Sequence, residues 1–267
     1  MTHPIQLVIH GASGRNGRRL IALASTDPEL QLVGALVRST SSFAGQDAGA
    51  LAGIPKLGLT LGHQWPARFD AVIDFSSPEG CLDAVAESVK QKAAMVIATT
   101  GLTAEQVATI HQAAERIPIC LAPNTSVAVN IGMKLVEQAA RAFRGVPGGV
   151  DVEIIERHHR FKEDSPSGTA LKLGQIISKE MGLDRHVHGR EGMIGRRSAN
   201  EIGYHAVRVG DDVGQHTIVF GMMGELVEVR VAASNRDCYA AGAIAAAKYL
   251  RGRSPGLYSM ADVLGLN

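Results

Sequence analysis

The first junction between an apolar run and a helical run constrains this chain more than any other feature. Ile5 to Ile9 reads as a short buried strand, Gly11-Ala12-Ser13-Gly14-Arg15-Asn16-Gly17 follows, and a helix is predicted from Arg18 to Ser25. Glycines at 11, 14 and 17 let the backbone turn tightly and approach a bulky anion with no Cβ in the way. The helix that opens there adds oriented N–H groups and positive potential, which together attract phosphate. The spacing is Gly-x-x-Gly-x-x-Gly rather than Gly-x-Gly-x-x-Gly, so its placement carries more weight than its pattern. A glycine-rich turn that binds nothing is the alternative reading.

The alternation continues along the chain. Gln31 to Val37, Phe69 to Phe75, Met95 to Ala98 and Ile117 to Ala122 read as strands, with helices at Gly80 to Gln91 and Thr103 to Arg116. Apolar strands separated by helices imply parallel βαβ units. After about Asn124 the texture changes. A helix is predicted over Val127 to Phe143, a break at Gly145 to Gly149, a strand over Val150 to Glu156 and a helix over Pro166 to Met181. Between Glu201 and Ala233 apolar and charged residues alternate, as at Val227-Glu228-Val229-Arg230-Val231, with turn signals at Asp211-Asp212 and Gly221 to Gly224. A helix rich in small residues, Tyr239 to Leu250, follows. The pattern predicts an α/β chain with a doubly wound, parallel-sheet (Rossmann-like) nucleotide domain over residues 1–125 with 235–267. An inserted α+β domain with a mostly antiparallel sheet takes residues 126–234.

Composition excludes several classes. The 267 residues carry a formal charge of +1, which argues against broad electrostatic binding of nucleic acid or membrane. Cys81, Cys120 and Cys238 form no Cys-x-x-Cys pair, which argues against a disulfide framework or structural zinc and suits a reducing cytoplasm. Met1 to Gln6 has no signal-peptide pattern, and no stretch approaches the ~20 apolar residues of a membrane span. His111, His186, His188, His205 and His216 show no metal-ligand spacing, so no metal is expected.

Two further features carry chemistry. The second strand ends Val37-Arg38-Ser39-Thr40, with no acid to take a ribose 2′-hydroxyl. A guanidinium followed by hydroxyls suits a 2′-phosphate, so NADPH is the expected cofactor, with NADH tolerated. Arg38 as a solvated strand-end charge is the alternative. The second feature is Glu156-Arg157-His158-His159-Arg160-Phe161-Lys162, followed by Ser165-Pro166-Ser167-Gly168-Thr169-Ala170. Imidazoles exchange protons near neutral pH, and cations beside a helix start seat a small dianion. A basic strand end and an ordinary helix cap are the alternative. Thr99-Thr100-Gly101 and Ala122-Pro123-Asn124-Thr125 follow strands where a doubly wound fold places its ligand loops.

These motifs together resemble bacterial dihydrodipicolinate reductase, over essentially the whole chain. The resemblance rests on the 11–17 loop, Ala98-Thr99-Thr100-Gly101, Ala122 to Ser126, the Glu156 to Ala170 motif and Asp262-Val263-Leu264. It implies His158 as proton donor, Lys162 as second catalytic or substrate-binding group, and His159, Gly168 and Thr169 as substrate contacts. It implies dinucleotide contacts from Gly11, Ala12, Ser13, Gly14, Arg15, Asn16, Ala98, Thr99, Thr100, Ala122, Pro123, Asn124 and Thr125, with Arg38 on a 2′-phosphate. The family reduces a cyclic dicarboxylate with NAD(P)H and is typically homotetrameric through its antiparallel sheets. Val37 stands where many members carry an acid, which weakens NADH binding, and Ser77 where some carry Arg. The competing readings are another NADP-linked reductase on the same plan and a non-catalytic dinucleotide sensor.

Overall fold

A computed structural model describes residues 3–267; Met1 and Thr2, part of the amino-terminal stretch read above, lie outside the described residues. The chain begins β1 (Ile5–His10), α1 (Arg15–Ala24), β2 (Leu30–Leu36), α2 (Ala48–Ala52), β3 (Leu61–Gly62), β4 (Ala71–Asp74) and α3 (Pro78–Gln91). It continues with β5 (Ala94–Ile97), α4 (Ala104–Ala114), β6 (Pro118–Leu121), α5 (Val127–Phe143), β7 (Asp151–His158) and α6 (Gly168–Met181). It ends with β8 (Arg185–His188), β9 (Glu201–Arg208), β10 (Gln215–Met222), β11 (Glu225–Ala232), α7 (Asp237–Leu250), β12 (Gly256–Tyr258) and α8 (Met260–Leu264). Two compact units result, Met1–Val127 with Arg236–Asn267, and Ala128–Asn235.

The first unit is built on a seven-stranded parallel sheet in the order β12-β6-β5-β4-β1-β2-β3. Its central strands are mostly apolar because helices cover both faces. Successive residues feed opposite cores: Leu7, Ile9, Ile73 and Val96 pack with Leu20, Ile21 and Ala243. Val8, Val72, Met95 and Ile97 pack with Val85, Ile110 and Ile119 on the other side. Each fully buried Leu, Ile or Val contributes about 1.5–3 kcal/mol. The small residues of α7 permit close approach; a Cβ on Gly242 would stand 1.7 Å from the Thr125 carbonyl oxygen.

Register fixes where ligands can bind. His10 pairs with Leu36 and Asp74, Asp74 with Ile97, and Ile97 with Leu121. The carboxyl ends of β2, β1, β4, β5 and β6 therefore line one edge. Strand order reverses between β1 and β4, the switch point at which open parallel sheets place their ligands.

The second unit has a five-stranded sheet in the order β11-β10-β7-β9-β8. It is mixed: β10 runs antiparallel to β11 and β7, while β9 runs parallel to β7 and β8. The sequence signals the β10–β11 hairpin, but the parallel half arises because α6 carries the chain from β7 to β8 at the sheet edge, and the segment 189–200 returns it to enter β9 between them. Asp211-Asp212 is accordingly not a hairpin turn between neighbours, since the chain leaves β9 and re-enters as β10 on the far side of β7. The helix-covered face holds Val152, Ile154, Tyr204, Ile218 and Phe220 against Val136, Ala140, Leu173 and Ile177.

Candidate active site

The glycine loop sits at the carboxyl end of β1. Gly11, at φ +79°, donates its N–H to the Leu36 carbonyl at 3.1 Å, and Ala12 donates to the same oxygen at 2.9 Å. A Cβ on Gly11 would meet the Phe75 carbonyl oxygen at 2.4 Å, and one on Gly17 would meet the Gly11 oxygen at 2.3 Å. Two of the glycines are thus demanded by close backbone packing. Gly14 caps α1 with no side-chain hydrogen bond, so its first-turn N–H groups face outward without a side-chain cap. Asn16 Oδ1 is buried and has no hydrogen-bond partner among the described residues. Bare N–H groups and a turn with no room for a Cβ fit the diphosphate of a dinucleotide.

The other candidate loops line the same edge. Arg38 is exposed just past β2. Ala98 and Thr99 are buried and Thr100 exposed beyond β5; Ala122 and Thr125 are buried, Pro123 exposed and Asn124 half-buried beyond β6. Asn124 Oδ1 accepts the Ser126 N–H at 2.9 Å, and the Thr125 hydroxyl donates to the Tyr239 carbonyl at 2.7 Å. Ser77 caps α3 by accepting from Gly80 N–H.

One feature of this edge escapes the motif reading. Asp74, fully buried at the end of β4, receives His10 Nδ1 at 2.8 Å, the Ser76 hydroxyl at 2.6 Å and the Thr99 hydroxyl at 2.6 Å. Thr99 Oγ1 in turn accepts the Ser76 N–H at 3.1 Å. The network ties the loops after β1, β4 and β5 together. Its signal was a carboxylate ending an otherwise apolar strand, Ala71-Val72-Ile73-Asp74.

The second cluster grows out of the second unit's core. Strand alternation that buries Val152 and Ile154 also carries Glu156 and His158 to the helix-covered face. His216 pairs with Glu156 in register, and Arg208 with His158. Glu156, His158 and His216 are 1 %, 8 % and 4 % exposed. His158 Nδ1 lies 2.5 Å from Glu156 Oε2, and Arg208 grips the same carboxylate with two bonds of 2.8 Å. Burial works to raise the Glu156 carboxyl, but the bonds from Arg208 and His158 outweigh it and hold its pKa below the usual range. Burial pushes His158 down, with Glu156 opposing and Lys162 and Arg208 assisting.

Ser167 links this cluster to α6. Its N–H donates to Glu156 Oε1 at 3.1 Å, and its Oγ accepts Ala170 N–H at 3.2 Å as the helix cap. Ser167 Oγ also stands 3.0 Å from His216 Nε2, and the His216 ring meets that of His158 edge-on at 5.2 Å. Gly168 and Thr169 begin the helix beside it. Lys162 is paired with Asp164 at 2.7 Å, and His159 Nδ1 is buried without a partner among the described residues. His158, Gly168 and Thr169 thus come together around Glu156 and Ser167, and Lys162 acts on His158 through its charge. Sequence reasoning missed Arg208 and His216, which reach this face from distant strands. Among the described residues no group of three or more His, Cys, Asp or Glu is placed to hold a metal, and no helix is long and apolar enough to cross a membrane.

The family model described as dihydrodipicolinate reductase, N-terminus, matches residues 5–125, and that described as dihydrodipicolinate reductase, C-terminus, matches residues 128–264. The chain belongs to the dihydrodipicolinate reductase family. A relative named 4-hydroxy-tetrahydrodipicolinate reductase from Rhodopirellula baltica is 54% identical, covering 100% of this chain and 98% of its own. One of the same name from Burkholderia ambifaria is 47% identical over 98% of this chain and 100% of its own. A dipicolinate-bound dihydrodipicolinate reductase from a Paenisporosarcina species superposes with a TM-score of 0.77 at 24% identity, covering 97% of this chain and 98% of that one. An amine dehydrogenase from Mycobacterium smegmatis reaches a TM-score of 0.59 at 13% identity, over 97% and 95% of the two chains, a likeness of fold alone. For this member of the dihydrodipicolinate reductase family, the histidine–lysine segment is the feature that a shared dinucleotide fold does not explain.

Proposed function

We propose that the chain is a nicotinamide-dependent oxidoreductase that reduces 4-hydroxy-tetrahydrodipicolinate, with loss of its hydroxyl as water, to tetrahydrodipicolinate in diaminopimelate and lysine biosynthesis. The observation that carries this reading is His158, held by a buried carboxylate beside a helix start. A dinucleotide sensor has no use for that arrangement. The chemistry a reduced nicotinamide supplies when bound is hydride. Gly11 to Asn16 are the residues that would hold its diphosphate, with Ala98 to Thr100 and Ala122 to Thr125 along the same edge.

The chain's own groups handle the substrate's charge and proton. The N–H groups of Gly168 and Thr169 and the Lys162 ammonium neutralise two carboxylates, and His159 Nδ1 offers a further hydrogen bond. A depressed pKa leaves His158 largely neutral in the free enzyme, and a bound dianion raises it again. Proton uptake is thereby coupled to substrate binding, and His158 then delivers the proton that completes reduction. The outer face of the second sheet exposes Ile155, Val207 and Leu226, which supports assembly of a homotetramer through these sheets.

NADPH is the preferred cofactor on this reading, because Val37 stands where an NAD-binding site needs a carboxylate and the neighbouring Arg38 offers a guanidinium to a 2′-phosphate, and NADH is accepted more weakly. The test is NADPH oxidation with the aldol product of pyruvate and aspartate semialdehyde, generated by the preceding synthase. Arg38→Ala is expected to lower kcat/KM for NADPH about 10-fold or more, the worth of a charge-assisted bond to phosphate, and to spare NADH. Equal losses with both cofactors remove Arg38 from the 2′-phosphate.

A further inference from the structure

We propose that Glu156 is the positioning residue of this site: one carboxylate that orients the His158 imidazole and pins the amino-terminal turn of α6. The proposal rests on the reading of the site as the reductase's proton-delivering and substrate-holding centre.

Each Glu156 oxygen takes two donors. Oε2 receives His158 Nδ1 at 2.5 Å and Arg208 Nη1 at 2.8 Å; Oε1 receives Ser167 N–H at 3.1 Å and Arg208 Nη2 at 2.8 Å. A carboxylate so surrounded stays ionised and acts as an acceptor only. Its geometry therefore places the imidazole hydrogen on Nδ1 and leaves Nε2 to exchange a proton with substrate. Nε2 faces Gly214, where a Cβ would approach to 2.8 Å, so the exchanging nitrogen has room only because that residue is glycine.

Arg208 has a separate task. It balances the charge of Glu156 and also donates to the Asp164 carbonyl at 2.6 Å, which ties down the segment carrying Lys162. Without Arg208 the buried carboxylate would compete with His158 for its proton. Through the Ser167 N–H the same carboxylate fixes the residue whose hydroxyl caps α6. Proton donor and carboxylate seat are thus set by one group. The charged and titratable groups that face His158 are Glu156 on β7, Lys162 in the segment after it, Arg208 on β9, Asp212 before β10 and His216 on β10.

The test uses the full-length protein. In Glu156→Gln, the His158 titration followed by ring-proton NMR is expected to fall by about one pH unit or more, since an opposite charge in contact has gone. At neutral pH kcat is expected to fall about 10²-fold or more, with the break in its pH profile moving the same way and NADPH affinity unchanged. Glu156→Gln/Arg208→Gln removes the cation left unpaired and keeps the test open if the single variant folds poorly. The proposal is overturned if the single variant leaves the His158 titration in place. It is equally overturned if the double variant regains wild-type kcat and titration, since Glu156 would then be only a counter-ion for Arg208. Lack of wild-type turnover with the hydroxylated dicarboxylate sinks the reductase reading alone, and the titration still decides the hold of Glu156 on His158.

Discussion

His216 makes the second unit acid-sensitive, and the size of the effect follows from its surroundings. Ser167 Oγ accepts Ala170 N–H and stands 3.0 Å from His216 Nε2, and burial disfavours the charged form of that imidazole. Burial pushes the His216 pKa from 6.5 down to about 4, with the nearby His158 acting in the same direction. An imidazole that takes a proton more readily unfolded than folded contributes stability that is whole above pH 6.5. That contribution drains away as pH falls toward 4. At 1.36 kcal/mol per pH unit the gap corresponds to about 3 kcal/mol. His216→Gln keeps an acceptor for the Ser167 hydroxyl and does not titrate. Urea denaturation at fixed protein concentration, from about pH 7.5 to about pH 4, is expected to cost the wild type about 3 kcal/mol more than the variant. His158, also depressed by burial, and the carboxylates of Glu156, Asp164 and Asp212 remain in both proteins, so the difference isolates His216. Two curves that fall in parallel refute the reasoning.

Gly11→Ala forces a left-handed conformation at a cost of about 1–2 kcal/mol and drives a methyl group into the Phe75 carbonyl. Calorimetric titration is expected to give at least a roughly 10-fold weaker dinucleotide affinity, and unchanged affinity refutes the packing argument. Gly214→Ala places a methyl against His158 Nε2, so steady-state kinetics should show a lower kcat with NADPH affinity preserved. His158→Gln is expected to lower kcat about 10²–10⁴-fold with a much smaller change in KM, and an unchanged kcat removes it from proton transfer.

How much of this was legible in the sequence depends on the range of the interaction. The βαβ alternation and the glycine loop are local, so the strands Ile5–His10 and Leu30–Leu36 and the helix Val127–Phe143 fall where the apolar pattern puts them. The short edge strands Arg185–His188 and Gly256–Tyr258 carry too few buried residues to show a period of two. His158 and Lys162 lie in one segment and stand out in the sequence as candidates; Arg208 and His216 do not. Each is adjacent to Glu156 or His158 only through β-pairing across roughly fifty to sixty residues of chain, and pairing partners are set by the fold rather than by neighbours in sequence. The parallel half of the second sheet was hidden for the same reason. A crossover through α6 leaves no turn signal at the strands it joins.

The helix starts explain why the two candidate binding loops are built differently. Asp47, Ser77, Thr103, Ser167 and Ser259 each cap a helix with a side chain that accepts from its own first turn. Gly14 cannot, so the first-turn donors of α1 have no side-chain cap, as the proposed diphosphate site requires. Glycine in place of Ser or Asp at a cap costs only a few tenths of a kcal/mol, so leaving α1 open is cheap while a diphosphate gains several charge-assisted bonds. The α6 start faces a harder demand, because it adjoins a buried carboxylate and a buried imidazole that both need partners. Ser167 meets it with its N–H on Glu156 and its hydroxyl, which takes Ala170 N–H and pairs with His216 Nε2. A glycine there would leave His216 Nε2 without its partner at about 1–3 kcal/mol, so this cap needs a side chain that serves both Ala170 N–H and His216, beside the proposed anion seat one residue further on.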